Sequence, residues 1–220
     1  MLTESGNKRT KLNARLNLVA SYVTIFSVVY YVGSIVLLHV LRTDYDPGSR
    51  YLSEYVVGPY GGLMTSTFFV LSIGSLALSL GLWRSVSSTL RFLPGHLFWL
   101  TWACAVFLAG IYPGDLQGSP QTRIGQIHNQ MGAIAFPSAA LALLLLSFPL
   151  LWEQKWRPVW GIAVVLSLAV VACFLMWDRL EGIRLGGLDQ RVFLSITLAW
   201  MLILARKLPT IELPRKAEGS

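Results

Sequence analysis

Four side chains of this sequence, Ser53, Glu54, Asp115 and His128, are of the types that carry proton transfer or acyl chemistry. A serine, an imidazole and a carboxylate can serve as nucleophile, base and orienter, although no G-x-S-x-G elbow surrounds Ser53. Imidazole is the side chain that titrates nearest neutrality, so His128 suits a general base, a metal ligand or a proton relay. Its neighbours Asn129 and Gln130 also make it an ordinary polar helix start. Asp44, Asp46 and Arg191 suit ligand binding rather than bond making: the carboxylates accept donors, and the guanidinium takes a carboxylate or phosphate. Arg191 lies just inside an apolar segment, where an unpaired charge costs a few kcal/mol. It needs Asp189, Asp178, Asp115 or a ligand anion as partner. A bland reading stands beside each. Asp46 opens a D-P-G-S turn and would accept its amides. Ser53 would cap a short helix. Asp178, Glu181 and Arg184, three apart, would pair along one helical face.

Haem and zinc find little here. Two histidines holding a haem must face each other at one depth, which only His39 and His128 could do, since His96 lies toward the other side of the bilayer. Zinc would need His39 and His128 with Asp115 or Asp44, and no metal-binding spacing supports that set. No metal and no cofactor is expected. Cys104 and Cys173 lie in apolar runs and read as small buried hydrophobes rather than a disulfide.

The elements that must position these residues follow from composition. The chain is 54% hydrophobic and 13% charged, with a mean hydropathy of +0.57, whereas soluble domains carry roughly 25% charged residues. A lipid solvent is implied. Crossing it takes about 20 helical residues, and six segments qualify: roughly 16–41, 62–83, 93–112, 131–152, 159–177 and 188–206. The first exceeds a secretory signal core and lacks a cleavage site, so it reads as a signal anchor. The predicted fold is all-α: a polytopic membrane bundle of six transmembrane helices. It comprises a basic tail at 1–15, a transmembrane domain at 16–208 and a second tail at 209–220.

Basic residues orient such a bundle. Lys8, Arg9, Lys11, Arg15, Arg84, Arg91, Lys155, Arg157, Arg206, Lys207, Arg215 and Lys216 fall on one side, predicting both termini in the cytoplasm of a multi-pass cell-membrane protein. The net charge of +7 is then a topology signal rather than a nucleic-acid footprint. Trp83, Trp152, Trp156 and Trp160 would form an aromatic belt at that interface, and Tyr45, Tyr51, Tyr55 and Tyr60 would lie on the headgroups opposite. Asp44, Asp46, Glu54, Asp115, Asp178, Glu181 and Asp189 gather on the outer side, where acidic groups do little for topology.

Three of these stretches carry a family pattern. DYDPGSRYLSEY, GIYPGD with IGQIHNQMGAIAF, and GLDQRVFLSITLAW resemble the signature regions of the bacterial and archaeal membrane family known as domain of unknown function 998. The likeness runs from about Leu16 to Leu208 and includes Asp46, Pro47, Ser53, Glu54, Asp115, His128, Gly187 and Arg191. It implies a compact helical membrane domain and no assigned activity. A more distant likeness to Frag1/DRAM-type membrane proteins transfers no residues.

The expectation is an extracytoplasmic polar pocket with Asp44, Asp46, Ser53, Glu54, Asp115, His128 and Arg191 around its rim. It would bind a small polar molecule or lipid headgroup, with Arg191 holding an anion and His128 and a carboxylate handling a proton. The alternatives are a hydrolase or transferase acting on a lipid-linked substrate, a small-solute transporter, and a non-catalytic module or partner subunit of another membrane protein.

Overall fold

In hydrocarbon no water satisfies backbone N–H and C=O groups, so apolar runs close their bonds within themselves as helices. The computed structural model describes residues 2–211, with side chains from Leu12 onward. The side chains of Lys8, Arg9 and Lys11, and Arg215 and Lys216 altogether, therefore lie outside what is described. The helices are α1 (Leu2–Leu41), α2 (Gly61–Ser85), α3 (Thr89–Ile111), α4 (Arg123–Ser147), α5 (Arg157–Gly182) and α6 (Gly186–Lys207). Each contains or begins a stretch long and apolar enough to cross a membrane, and no strand occurs among the described residues. The six-helix expectation is borne out.

Consecutive helices pack side by side, and α6 returns to α1 and α2, closing the bundle. Small residues let backbones approach closely: a Cβ on Gly74 would collide with the Ser27 side chain. Buried hydroxyls bond across the same interfaces, as where Thr24 Oγ1 donates to Gly74 O. Trp99, Trp102 and Trp200 fill the interior. Their indole N–H groups donate to Ser75 O, Ser75 Oγ and Ser147 Oγ respectively, so the core carries polar atoms without carrying charge.

Several boundaries move outward from the hydropathy limits. Thr122 caps α4 by accepting Gly125 N–H at 3.0 Å, so that helix begins at Arg123 and His128 lies in its second turn. α5 continues to Gly182, which reduces the connection between α5 and α6 to residues 183–185. The predicted pairing of Asp178, Glu181 and Arg184 does not form, because the helix has ended and Arg184 adopts φ 60°. Trp156 is fully buried and does not belong to an interfacial belt, whereas Trp152 is 62% exposed. Both cysteines sit toward the outside of the bundle rather than in its core.

Candidate functional site

The loop between α1 and α2 is folded tightly by its own side chains. Asp46 Oδ1 accepts Gly48 N–H, and its Oδ2 accepts the N–H and hydroxyl of Ser49. These donors, the Ser49 hydroxyl foremost, hold the Asp46 carboxyl below the usual carboxylate range. Arg42 clamps Asp44 with two bonds of 2.9 Å and reaches the carbonyls of Val57 and Pro59. The bonded guanidinium pulls the Asp44 carboxyl down as well. Tyr45 and Tyr55 are buried and stacked at 4.8 Å, so they pin the loop to the bundle instead of lying on headgroups.

Residues 52–56 form a 3-10 turn whose cap is not Ser53. Tyr51 occupies the cap position, and the Glu54 carboxylate reaches back to accept Tyr51 N–H at 2.9 Å. Glu54 also accepts Arg50 Nη1 and, from the second outer loop, Gln117 N–H. That carboxylate is 3% exposed, yet its donors match it fully and tie two loops together.

The same loop is fastened to α6. Gly187 has no side chain because the Arg50 backbone passes over it; a Cβ there would lie 2.8 Å from Arg50 N and C. Leu188 N–H donates to Gly48 O, and Gln190 Oε1 accepts Leu52 N–H at 2.6 Å. Tyr51 stacks on Trp177 of α5 at 5.9 Å. Burial, with Glu181 beside it, pushes the Tyr51 phenol up.

Arg191 has none of the partners expected of it. Its Nη1 donates to Arg50 O at 2.7 Å and Gly187 O at 2.8 Å, and its Nε donates to His39 Nε2 at 3.1 Å. His39 must then carry its proton on Nδ1, which faces Ile35 O at 2.7 Å. Asp189 cannot reach Arg191, because residues two apart on a helix point to different faces. Asp178 is exposed, and Asp115 is engaged elsewhere. One guanidinium nitrogen, Nη2, is buried without a hydrogen-bond partner, and so is the Tyr55 hydroxyl.

Asp115 organises the second outer loop. Its carboxylate accepts the N–H of Thr122 at 2.7 Å and the Thr122 hydroxyl at 3.0 Å, and it lies so close to Gly125 that a Cβ there would collide with it. His128, one turn further along α4, is buried. Its Nδ1 faces the carbonyls of Ala109 and Tyr112 at 3.1 and 2.8 Å. Two acceptors on that side place a proton on Nδ1, so in the neutral ring Nε2 is the lone-pair nitrogen, and it has no hydrogen-bond partner among the described residues. A Cβ on Gly114 would stand 3.3 Å from Nε2, so the glycine keeps that side of the ring clear.

These pieces enclose a hollow of about 270 Å³. Ser53, Glu54, Asp115 and His128 line it, together with Tyr51, Gln117, Asn129 and Glu181. The candidates for proton or acyl chemistry thus share one cavity. Asp44, Asp46 and Arg191 do not line it; they hold the loop. Tyr51, Gln117 and Glu181 were not anticipated as site residues, and only their place in the outer loops marked them. Within the hollow no serine–histidine bond is formed. Among the described residues the Ser53 hydroxyl has no hydrogen bond, and carbonyls rather than a carboxylate orient His128. Among the described residues no three His, Cys, Asp or Glu side chains gather as metal ligands. His39 and His128 serve separate networks.

The helical count, the apolar surfaces and the loop-borne polar cluster define an integral membrane protein that crosses the bilayer several times. The chain matches the model of the family described as protein of unknown function (DUF998) over residues 24–207, and it belongs to that family. No curated protein and no solved structure matches it.

Proposed function

We propose that the hollow opens on the extracytoplasmic side of the cell membrane and binds a small polar molecule or lipid headgroup rich in hydrogen-bond donors. The carrying observation is that His128 Nε2 and the Ser53 hydroxyl, both without protein partners, line one cavity with Asp115 and Glu181. The walls are acceptor-rich. Arg50 is already paired with Glu54, so an amine or polyol suits the hollow better than an anion. Arg191 therefore has no part in ligand binding in this reading. The orientation is supported by Arg15, Arg84, Arg91, Lys155, Arg157, Arg206 and Lys207, which stand at the ends of the helices opposite the hollow. The interior packed with Trp99, Trp102 and Trp200 favours binding at the surface over passage through the bundle.

The test uses the full chain in phosphatidylcholine nanodiscs, with thermal unfolding as readout. Ethanolamine and glycerol serve as free probes, and added phosphatidylethanolamine as the lipid probe. Donor-bearing probes are expected to raise the midpoint, choline is not, and the responding arm identifies the source. Ser53→Ala and His128→Leu should reduce the shift. No shift with any probe, or an equal shift in both variants, overturns the reading.

Hydrolysis or group transfer on a lipid-linked substrate is the second reading, favoured by a free serine hydroxyl and a free imidazole nitrogen in one hollow. It requires Ser53 and His128 to come within hydrogen-bond reach when substrate binds.

A further inference from the structure

A second cavity lies on another flank of the molecule. α5 and α6 part to leave a cleft of about 240 Å³, walled by Cys173, Met176 and Leu180 on one side and Leu188 and Val192 on the other. Its surface is almost wholly apolar, and Asp189 lies in its wall with the carboxylate buried just behind that surface. That residue is 3% exposed, lines the cleft, and its Oδ2 has no hydrogen-bond partner.

Asp189 is unlike the other buried or loop carboxylates. Glu54 accepts three donors, Asp46 accepts three and Asp115 accepts two. Among the described residues no ion pair reaches Asp189, and Arg191 turns to His39 and the Arg50 carbonyl. An unmatched carboxyl in apolar surroundings costs several kcal/mol. A donor from outside the chain would remove that penalty.

The surroundings narrow what such a donor is attached to. The flank of α5 faces lipid: its spanning window is 17% buried, the lowest of the six, and Leu175 and Met176 beside the cleft are 72% and 49% exposed. Asp189 lies in the first turn of α6, near the water boundary, with apolar wall leading away from it. The wall offers one carboxyl and no cation. A phosphate would therefore find no partner and would face a like charge.

We infer that the α5–α6 cleft is a lipid-facing site for a long-chain alcohol or amine, with its alkyl chain in the groove and its single donor on Asp189 Oδ2. This site is separate from the loop hollow and stands whether or not that hollow binds anything.

The test uses the intact protein in phosphatidylcholine nanodiscs, which contain no competing donor. Two photoactivatable probes of equal chain length are compared, a hexadecyl alcohol and its methyl ether, and attachment sites are read by peptide mass spectrometry. One hydrogen bond worth about 1 kcal/mol corresponds to about a fivefold preference. The alcohol is therefore expected to label Cys173, Met176 and Val192 about fivefold more than the ether does. Asp189→Asn keeps an acceptor and should retain most of the preference, while Asp189→Leu should erase it. Ala172→Phe, which changes only the α5 wall, should block both probes. Equal labelling by alcohol and ether in the wild-type chain, or a preference that survives Asp189→Leu, overturns the inference. Because the wild-type ratio is itself decisive, a variant that fails to fold does not rescue it.

Discussion

The loop at 42–55 has two edges, and they are built differently. Toward α6, Gly48 O, the Arg50 carbonyl and Leu52 N–H all have partners, and Gly187 allows the two backbones to touch. Toward the hollow, Ser53 makes no hydrogen bond among the described residues and lines the cavity together with His128, whose Nε2 also has no partner there. Both edges carry polar groups. The first uses them on its own chain and gains rigidity. The second leaves them available, and a protein keeps unpaired groups at such a place only if something else pairs with them or water reaches them.

Substitutions at the two edges should therefore separate stability from recognition. The largest effect is expected from Gly187→Val, which must lift the Arg50 backbone off α6. Overpacking of this kind costs about 3 kcal/mol, and the thermal midpoint of the protein in detergent would fall sharply. Arg191→Ala comes next. It removes three hydrogen bonds from a charged donor and should destabilise by about 2–3 kcal/mol, whereas Arg191→Lys should recover only part of this, lacking the fork that spans His39 and two carbonyls. Gln190→Ala strands the buried Leu52 N–H and should cost about 1–2 kcal/mol by the same measurement. Ser53→Ala should change stability by less than about 0.5 kcal/mol while weakening probe binding in the hollow. If Ser53→Ala proved as destabilising as Gln190→Ala, the distinction between the two edges would collapse.

Acid sharpens the same comparison. The folded-state pKa of Asp46 lies below its unfolded value, so its contribution is present above about pH 4 and is lost as pH falls through the folded pKa. The difference in melting temperature between wild type and Asp46→Asn should accordingly be present near neutrality and close on acidification. A difference that persisted in strong acid would show that Asp46 acts through shape rather than charge.

The helices were legible in the sequence because lipid permits one kind of backbone, and a run of apolar residues can only announce that. The shared cavity of Ser53, Glu54, Asp115 and His128 was partly legible too, because acidic and imidazole groups stood on one side without a topological reason. What Arg191 binds was not legible. Its partners are two carbonyls and a neutral histidine, and a carbonyl leaves no mark in a sequence. Asp189 was proposed as its partner from proximity along the chain, although helical geometry separates positions two apart. The α5–α6 cleft leaves no mark in the sequence either, since its wall is built of the same apolar residues as any lipid-facing flank. The Gly186–Gly187 pair was the available hint of close approach, and it was visible before any coordinates.

Arg191 joins groups 141 and 152 residues distant from it, and its helix is the last of the six to be synthesised. Until α6 packs, the loop at 42–55 has Trp177 and the Gln117 N–H to rest against but lacks its fastenings at Gly48 O, Arg50 O and Leu52 N–H. The α6-facing edge of that loop is therefore locked only once the sixth helix has packed beside it, after five earlier segments have had to hold their places without that brace.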